Sequence, residues 1–275
     1  MRKSELVPLA LLVGIVGFIV AQGRQMGHER AHRPPVVPQG AARDSTPGDV
    51  GARPHPAGSA VLSPASIAND QGPVELRPSG IPAPLRDDAV VRDQIRDNAS
   101  GTYIADILQQ NQQLVMRWPD RRADGLRVFI ERESNVPDFN PAYAGSAEHA
   151  LEEWRAAGFP IQFDVVTDPV GADITVRFVR QLEGRRIGVT SIARDQIGWL
   201  VNADISVALH DSLGAALPAE MVAGVARHEI GHALGLGHSS DTTDVMYPES
   251  RTPTISARDQ ATLHLIYTLP PGFVR

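Results

Sequence analysis

The chain has 275 residues, a net charge of −6 and 21% charged side chains of both signs, so no basic surface points to nucleic acid. It contains no cysteine, which excludes disulfides, a thiolate zinc site, a catalytic cysteine and a lipidated N-terminal cysteine. The length allows one or two domains.

The N-terminus reads MRKSE and then an apolar run of 16 residues, Leu6 to Ala21. The run lies between a signal-peptide core of about 7–15 residues and a membrane span of about 20. Ala21 and Gly23 place small residues for cleavage after Gly23. Residues 1–23 therefore read as a signal peptide or, if uncleaved, a signal anchor that associates with the membrane. Either way the rest of the chain is expected outside the cytoplasm, secreted or anchored. Residues 24–85 hold 11 of the 22 prolines, and no aromatic residue occurs between Phe18 and Tyr103. Such a segment buries too little apolar surface to offset chain ordering and is expected to be a disordered, Pro-rich linker.

Residues 86–122 carry Ile104, Ile107, Leu108, Leu114 and Val115 as an apolar stripe at helical spacing, after a start near Ser100 or Thr102. They are expected to form a helical brace on the following domain rather than a prosegment, because no residue suited to blocking a metal stands out among them. Residues 123–275 have the patterning of a compact domain. Leu126–Ile130 alternates as a strand, and Asn140-Pro141 opens a helix carrying Ala147, Leu151 and Trp154 to Gly158. Residues 161–166, 174–179 and the Ile205, Val207, Leu209 set are further strands. A helix starts near Pro218 or Ala219, and a last one starts near Ser256 with Asp259 at its third position.

The helix from Pro218 leads into ARHEIGHALGLGHSSDTTDVMYP, Ala226 to Pro248. His228 and His232 are four apart and share a helix face. Gly235 permits a left-handed, helix-ending turn that returns His238 toward them. Three imidazoles with one open position suit a catalytic zinc. This stretch resembles the metzincin zinc endopeptidases, whose signature is H-E-x-x-H-x-x-G-x-x-H with a following Met-turn. Ser239 and Met246-Tyr247-Pro248 place the resemblance in the matrixin branch.

The resemblance implies an α+β fold, a twisted mixed sheet with an active-site helix and a C-terminal helix. It implies one catalytic zinc on His228, His232 and His238, with Glu229 as general base and Met246 as a structural floor. It also implies a protein or peptide substrate laid antiparallel on an edge strand at Val189, Thr190, Ser191 and Ile192. Many matrixins are kept latent by a cysteine, which this chain lacks. A second zinc site is not expected, since no histidine occurs between His149 and His210. A calcium site would draw on Asp168, Asp173, Asp195 or Asp204. His149, His210 and His264 read as surface or core residues, and the protein as a monomer. The competing function is an inactive zinc-binding adhesion module on a membrane tether; the intact Glu229 speaks against it.

Overall fold

The computed structural model describes residues 70–120, 125–249 and 254–275. All of them fall in one compact unit, residues 62–275. The apolar N-terminal run and most of the Pro-rich segment lie outside the described residues. No helix among those described is long and apolar enough to cross a membrane.

In chain order the elements are β1 (Gln71–Leu76), α1 (Asp88–Asp97), a 3-10 turn (Ala99–Gly101), α2 (Ile104–Gln110), β2 (Leu114–Val115) and β3 (Leu126–Ile130). Then follow α3 (Ala142–Ala156), β4 (Phe163–Val166), β5 (Ile174–Val179), β6 (Gly188–Arg194), β7 (Leu200–Ala208), α4 (Ala219–Ala233), α5 (Ala257–Thr268) and β8 (Gly272–Phe273). Six strands form one sheet in the order β1-β6-β7-β5-β3-β4. Only β6–β7 is antiparallel within it. The fold is α+β with a mixed sheet, as the sequence implies.

The core lies between the sheet and the helices α2, α3, α4 and α5. Alternation in β3 turns Leu126, Val128 and Ile130 inward, and every second residue of β5 (Ile174, Val176 and Phe178) is buried. α3 contributes Ala147, Leu151 and Trp154. Small alanines at 144, 147 and 150 let it approach α4 closely. Asn140 accepts a hydrogen bond from the Ala142 N–H at 2.9 Å, which satisfies one of the free donors at the start of α3. α5 has the expected capping box, with Ser256 and Asp259 each accepting from the other's backbone N–H.

Three expectations need correction. The Pro-rich linker does not run to Leu85: Gln71–Leu76 is β1, paired with β6. Backbone pairing along β6 supplies the order that this segment's composition cannot. Leu114 and Val115 are not helical; they pair with Phe273 and Gly272. Gln112 and Gln113 take left-handed φ values of 53° and 67°, which turn the chain out of α2. Finally, α2 begins at Ile104 with no side-chain cap, while Thr102 bonds back to the Asn98 carbonyl. Tyr103, Ile104, Ile107 and Leu108 are nonetheless buried in the same core as α4.

Candidate metal centre

α4 carries His228, Glu229 and His232, all buried. The helix ends at Leu234, and Gly235 follows at φ +99°. A side chain there would be strained and would also strike the Met116 carbonyl oxygen, 2.6 Å from the ideal Cβ. The last helical carbonyls are satisfied from elsewhere in the chain. Trp118 Nε1 donates to Ala233 O at 2.8 Å, and Tyr267 Oη to Leu234 O at 2.9 Å. The turn delivers His238, whose backbone Gln110 clamps from both sides. Gln110 Nε2 donates to the His238 carbonyl and Gln110 Oε1 accepts from the His238 N–H, each at 2.8 Å.

Ring orientation is fixed by outer contacts. His228 Nδ1 donates to Val245 O at 2.6 Å and His232 Nδ1 to Leu236 O at 2.9 Å. In the neutral tautomer this leaves both Nε2 atoms as lone-pair donors. Burial drives His232 down to about 4, which keeps it neutral. His232 and His238 bring their Nε2 atoms 3.2 Å apart. A tetrahedral zinc bound to nitrogens at about 2.0–2.1 Å would separate them by roughly 3.3 Å.

A fourth donor stands with them. Asp70, just before β1, places Oδ1 2.6 Å from His238 Nε2 and 3.8 Å from His232 Nε2, and Oδ2 3.1 Å from His228 Nε2. Burial alone would raise the Asp70 pKa, but contact with the three imidazoles holds it far below the usual carboxylate range. Even so, His228 Nε2 and Asp70 Oδ1 are buried without a partner in hydrogen-bonding geometry. Lone pairs and a carboxylate converging this way fit a cation between them. This is the one group of three or more such ligands, among the described residues, that could hold a metal ion.

Glu229 lies against the sheet rather than among the imidazoles. Thr190 Oγ1 donates to Glu229 Oε2 at 2.6 Å. A Cβ at Gly188 would sit 2.2 Å from Glu229 Oε1, so only glycine leaves room for the carboxylate. Burial pushes Glu229 up to about 8, with His228 pulling it down, Asp70 pushing it up and the Thr190 hydroxyl pulling it down.

The floor comes from Met246, which is fully buried. A Cβ on Gly231 would be 2.3 Å from Met246 Sδ and 2.9 Å from Trp154 Cζ2, so α4 rests directly on both side chains. The Met246 carbonyl accepts from the Ser239 N–H at 2.9 Å, tying the floor to the third histidine. Asp259 Oδ2 accepts from the Val245 N–H at 2.9 Å, and Asp259 Oδ1 from the Tyr103 hydroxyl at 3.0 Å. Tyr247 is half-buried and stands outside the imidazole group.

A match to the matrixin peptidase family covers residues 133–268. Residues 133–268 are a matrixin domain. The chain is 31% identical over 121 residues to Metalloendoproteinase 1-MMP of Arabidopsis thaliana, covering 38% of this chain and 31% of that protein. It is 49% identical over 51 residues to Matrilysin of Felis catus, covering 18% of this chain and 16% of that protein. The chain thus spans under a third of either relative.

The structure brings His228, His232 and His238 together with Glu229 beside them and Met246 beneath. Val189, Thr190, Ser191 and Ile192 lie in β6 as placed, but β6 is not the free edge of the matrixin sheet, because β1 covers it. Gln71 pairs with Thr190 and Val74 with Ile192. The proposed calcium ligands are not gathered. Asp168 accepts from Val170 N, Asp173 from Arg127 N, Asp204 from the Thr175 hydroxyl, and Asp195 from three successive N–H groups, Ile197 to Trp199. Among the other histidines, His210 is buried against Asp138, while His149 and His264 are exposed.

Sequence reasoning missed Asp70 and Gln110, and it named Thr190 and Asp259 without the contacts they make with Glu229 and Val245. The capping-box spacing finds Asp259 as a cap, but nothing local marks its hold on the Met246 loop.

Proposed function

We propose that the matrixin domain is a zinc-dependent endopeptidase acting on protein or peptide substrates. The observation that carries this reading is the convergence of three imidazoles, two of which (His228 and His232) turn Nδ1 away to carbonyls, with a buried carboxylate one residue along the same helix. His228, His232 and His238 would hold the ion; calcium is not part of the proposal. A zinc on three imidazoles supplies a Lewis acid and lowers the pKa of water at its open position to about 7.

The rest of the chemistry falls to the chain. Glu229 takes the proton from the attacking water and returns it to the leaving amine. Its raised pKa suits a group that must hold that proton between the two steps. The Thr190 hydroxyl fixes the Glu229 carboxylate against β6, and so sets its position relative to a substrate strand on that edge. Met246 and Trp154 exclude water from beneath the ligands. Residues 86–122 serve as a brace, since α2 packs under the loop that carries His238. Export of the domain, by a cleaved or retained N-terminal segment, rests on the basic-apolar pattern of residues 1–23.

Glu229→Gln tests the assignment. Turnover of an unstructured protein should fall at least 10²-fold while one zinc per chain is retained. His238→Ala should lose zinc and activity together. Near-normal turnover by the zinc-loaded Glu229→Gln protein would refute the role of the base.

A further inference from the structure

The segment upstream of the matrixin domain enters the site from outside the matched span, and four features of it act together. First, the Asp70 carboxylate stands where the open position of a three-histidine metal would be, within 2.6–3.8 Å of all three Nε2 atoms. Second, β1 occupies the hydrogen-bonding edge of β6, and it does so parallel to it. A substrate strand lying antiparallel on that edge would run the other way, and both cannot be present. In the reversed direction the N–H and carbonyl groups of each peptide exchange places, so no bond of β1 presents its carbonyl as such a substrate does.

Third, the segment is tied down after it leaves the site. Arg77 N donates to Arg194 O at 2.9 Å, Ser79 Oγ donates to Asp195 Oδ2 at 2.5 Å, and Trp199 Nε1 donates to Pro82 O at 3.4 Å. Fourth, β1 itself buries little. Val74 is 50% exposed and Leu76 is 60% exposed, so the strand is held by its edge and by Asp70 rather than by a core. The link to the rest of the domain then runs through residues 83–85, ending in fully exposed Leu85. A segment held this way can be removed without dismantling the fold.

The geometry points to an internal inhibitor: Asp70 caps the metal as its fourth ligand and β1 fills the substrate groove in the unproductive direction, until cleavage of the exposed link releases them. This rests on the metal reading above. It supplies by a carboxylate the latency that a chain without cysteine cannot obtain from a thiolate.

The test uses the full chain, cobalt-loaded, with Glu229→Gln present throughout so that no self-cleavage removes the segment. Acetohydroxamate, a small metal-binding anion, is titrated while the visible cobalt absorption is followed. Asp70→Ala should bind it at least tenfold more tightly than the chain with Asp70 intact, with one cobalt per chain in both. Equal affinities would overturn the proposal and leave the three-histidine centre standing. Loss of cobalt from Asp70→Ala would also overturn it, by making Asp70 a permanent ligand. If neither protein binds cobalt, the metal reading itself fails, and the proposal with it. Should Asp70→Ala fail to fold, Asp70→Asn keeps the shape of the side chain and is judged by the same outcomes.

Discussion

Two glycines on the same helix should answer the same substitution in opposite ways. Gly224 and Gly231 both lie within α4 with ordinary helical φ. Replacing either with alanine removes backbone freedom from the unfolded chain, worth about 0.5–1 kcal/mol in favour of folding. At Gly224 an added Cβ meets nothing within 4 Å. At Gly231 it meets Met246 Sδ at 2.3 Å, Met246 Cε at 3.1 Å and Trp154 Cζ2 at 2.9 Å, all fully buried. Overpacking of that kind costs about 1–3 kcal/mol. The propensity gain cancels in the comparison, so Gly231→Ala should be less stable than Gly224→Ala by about 1–3 kcal/mol. Urea denaturation of the two proteins, with equal m-values, measures that gap directly. Because the Met246 carbonyl holds the Ser239 N–H, Gly231→Ala should also weaken zinc binding, whereas Gly224→Ala should not. Two variants of equal stability and equal zinc affinity would show that Met246 is not the rigid floor described.

Gln110→Ala removes both hydrogen bonds that hold the His238 backbone, and zinc affinity should fall about 10–100-fold in a competitive chelator titration. Ile107→Ala hollows the brace beneath the same loop, where Ile107 Cγ1 would lie 3.2 Å from a Cβ on Gly237. It should cost about 2–5 kcal/mol by denaturant titration, and a cost below 1 kcal/mol would mean the brace is not part of the core.

The parts of this protein that could be read from sequence are those whose geometry is local. The four-residue spacing of His228 and His232, the glycine at 235 and the return to His238 all lie within eleven consecutive residues, and a helix with its end fixes them. The period-2 strands and the Ser256–Asp259 box are local in the same sense. What escaped depends on distant pairing. Gln110 reaches a residue 128 positions away, and Thr190 reaches one 39 away. Asp70 was hidden for a further reason. Its neighbours Gly72 and Pro73 show no strand alternation, and the order of this stretch comes from β6 rather than from its own burial. Leu114 and Val115 fit a helical stripe by spacing alone, and only the left-handed pair Gln112–Gln113 breaks it.

The seating of Glu229 on β6 has a consequence for how this sheet must assemble. Gly188 and Thr190 are two apart, so they face the same side and meet the same carboxylate, one by leaving space and the other by donating a hydrogen bond. Moving β6 by one residue would turn both away and offer Glu229 the opposite face. Moving it by two would place Thr190 where only a glycine fits and Ile192 where the donor belongs, or, in the other direction, Arg186 and Gly188 at those two places. The strand's alignment is thereby proofread at two neighbouring points. A chain that folds with β6 out of step would be detected by its buried acid, left without a partner, before any substrate arrives.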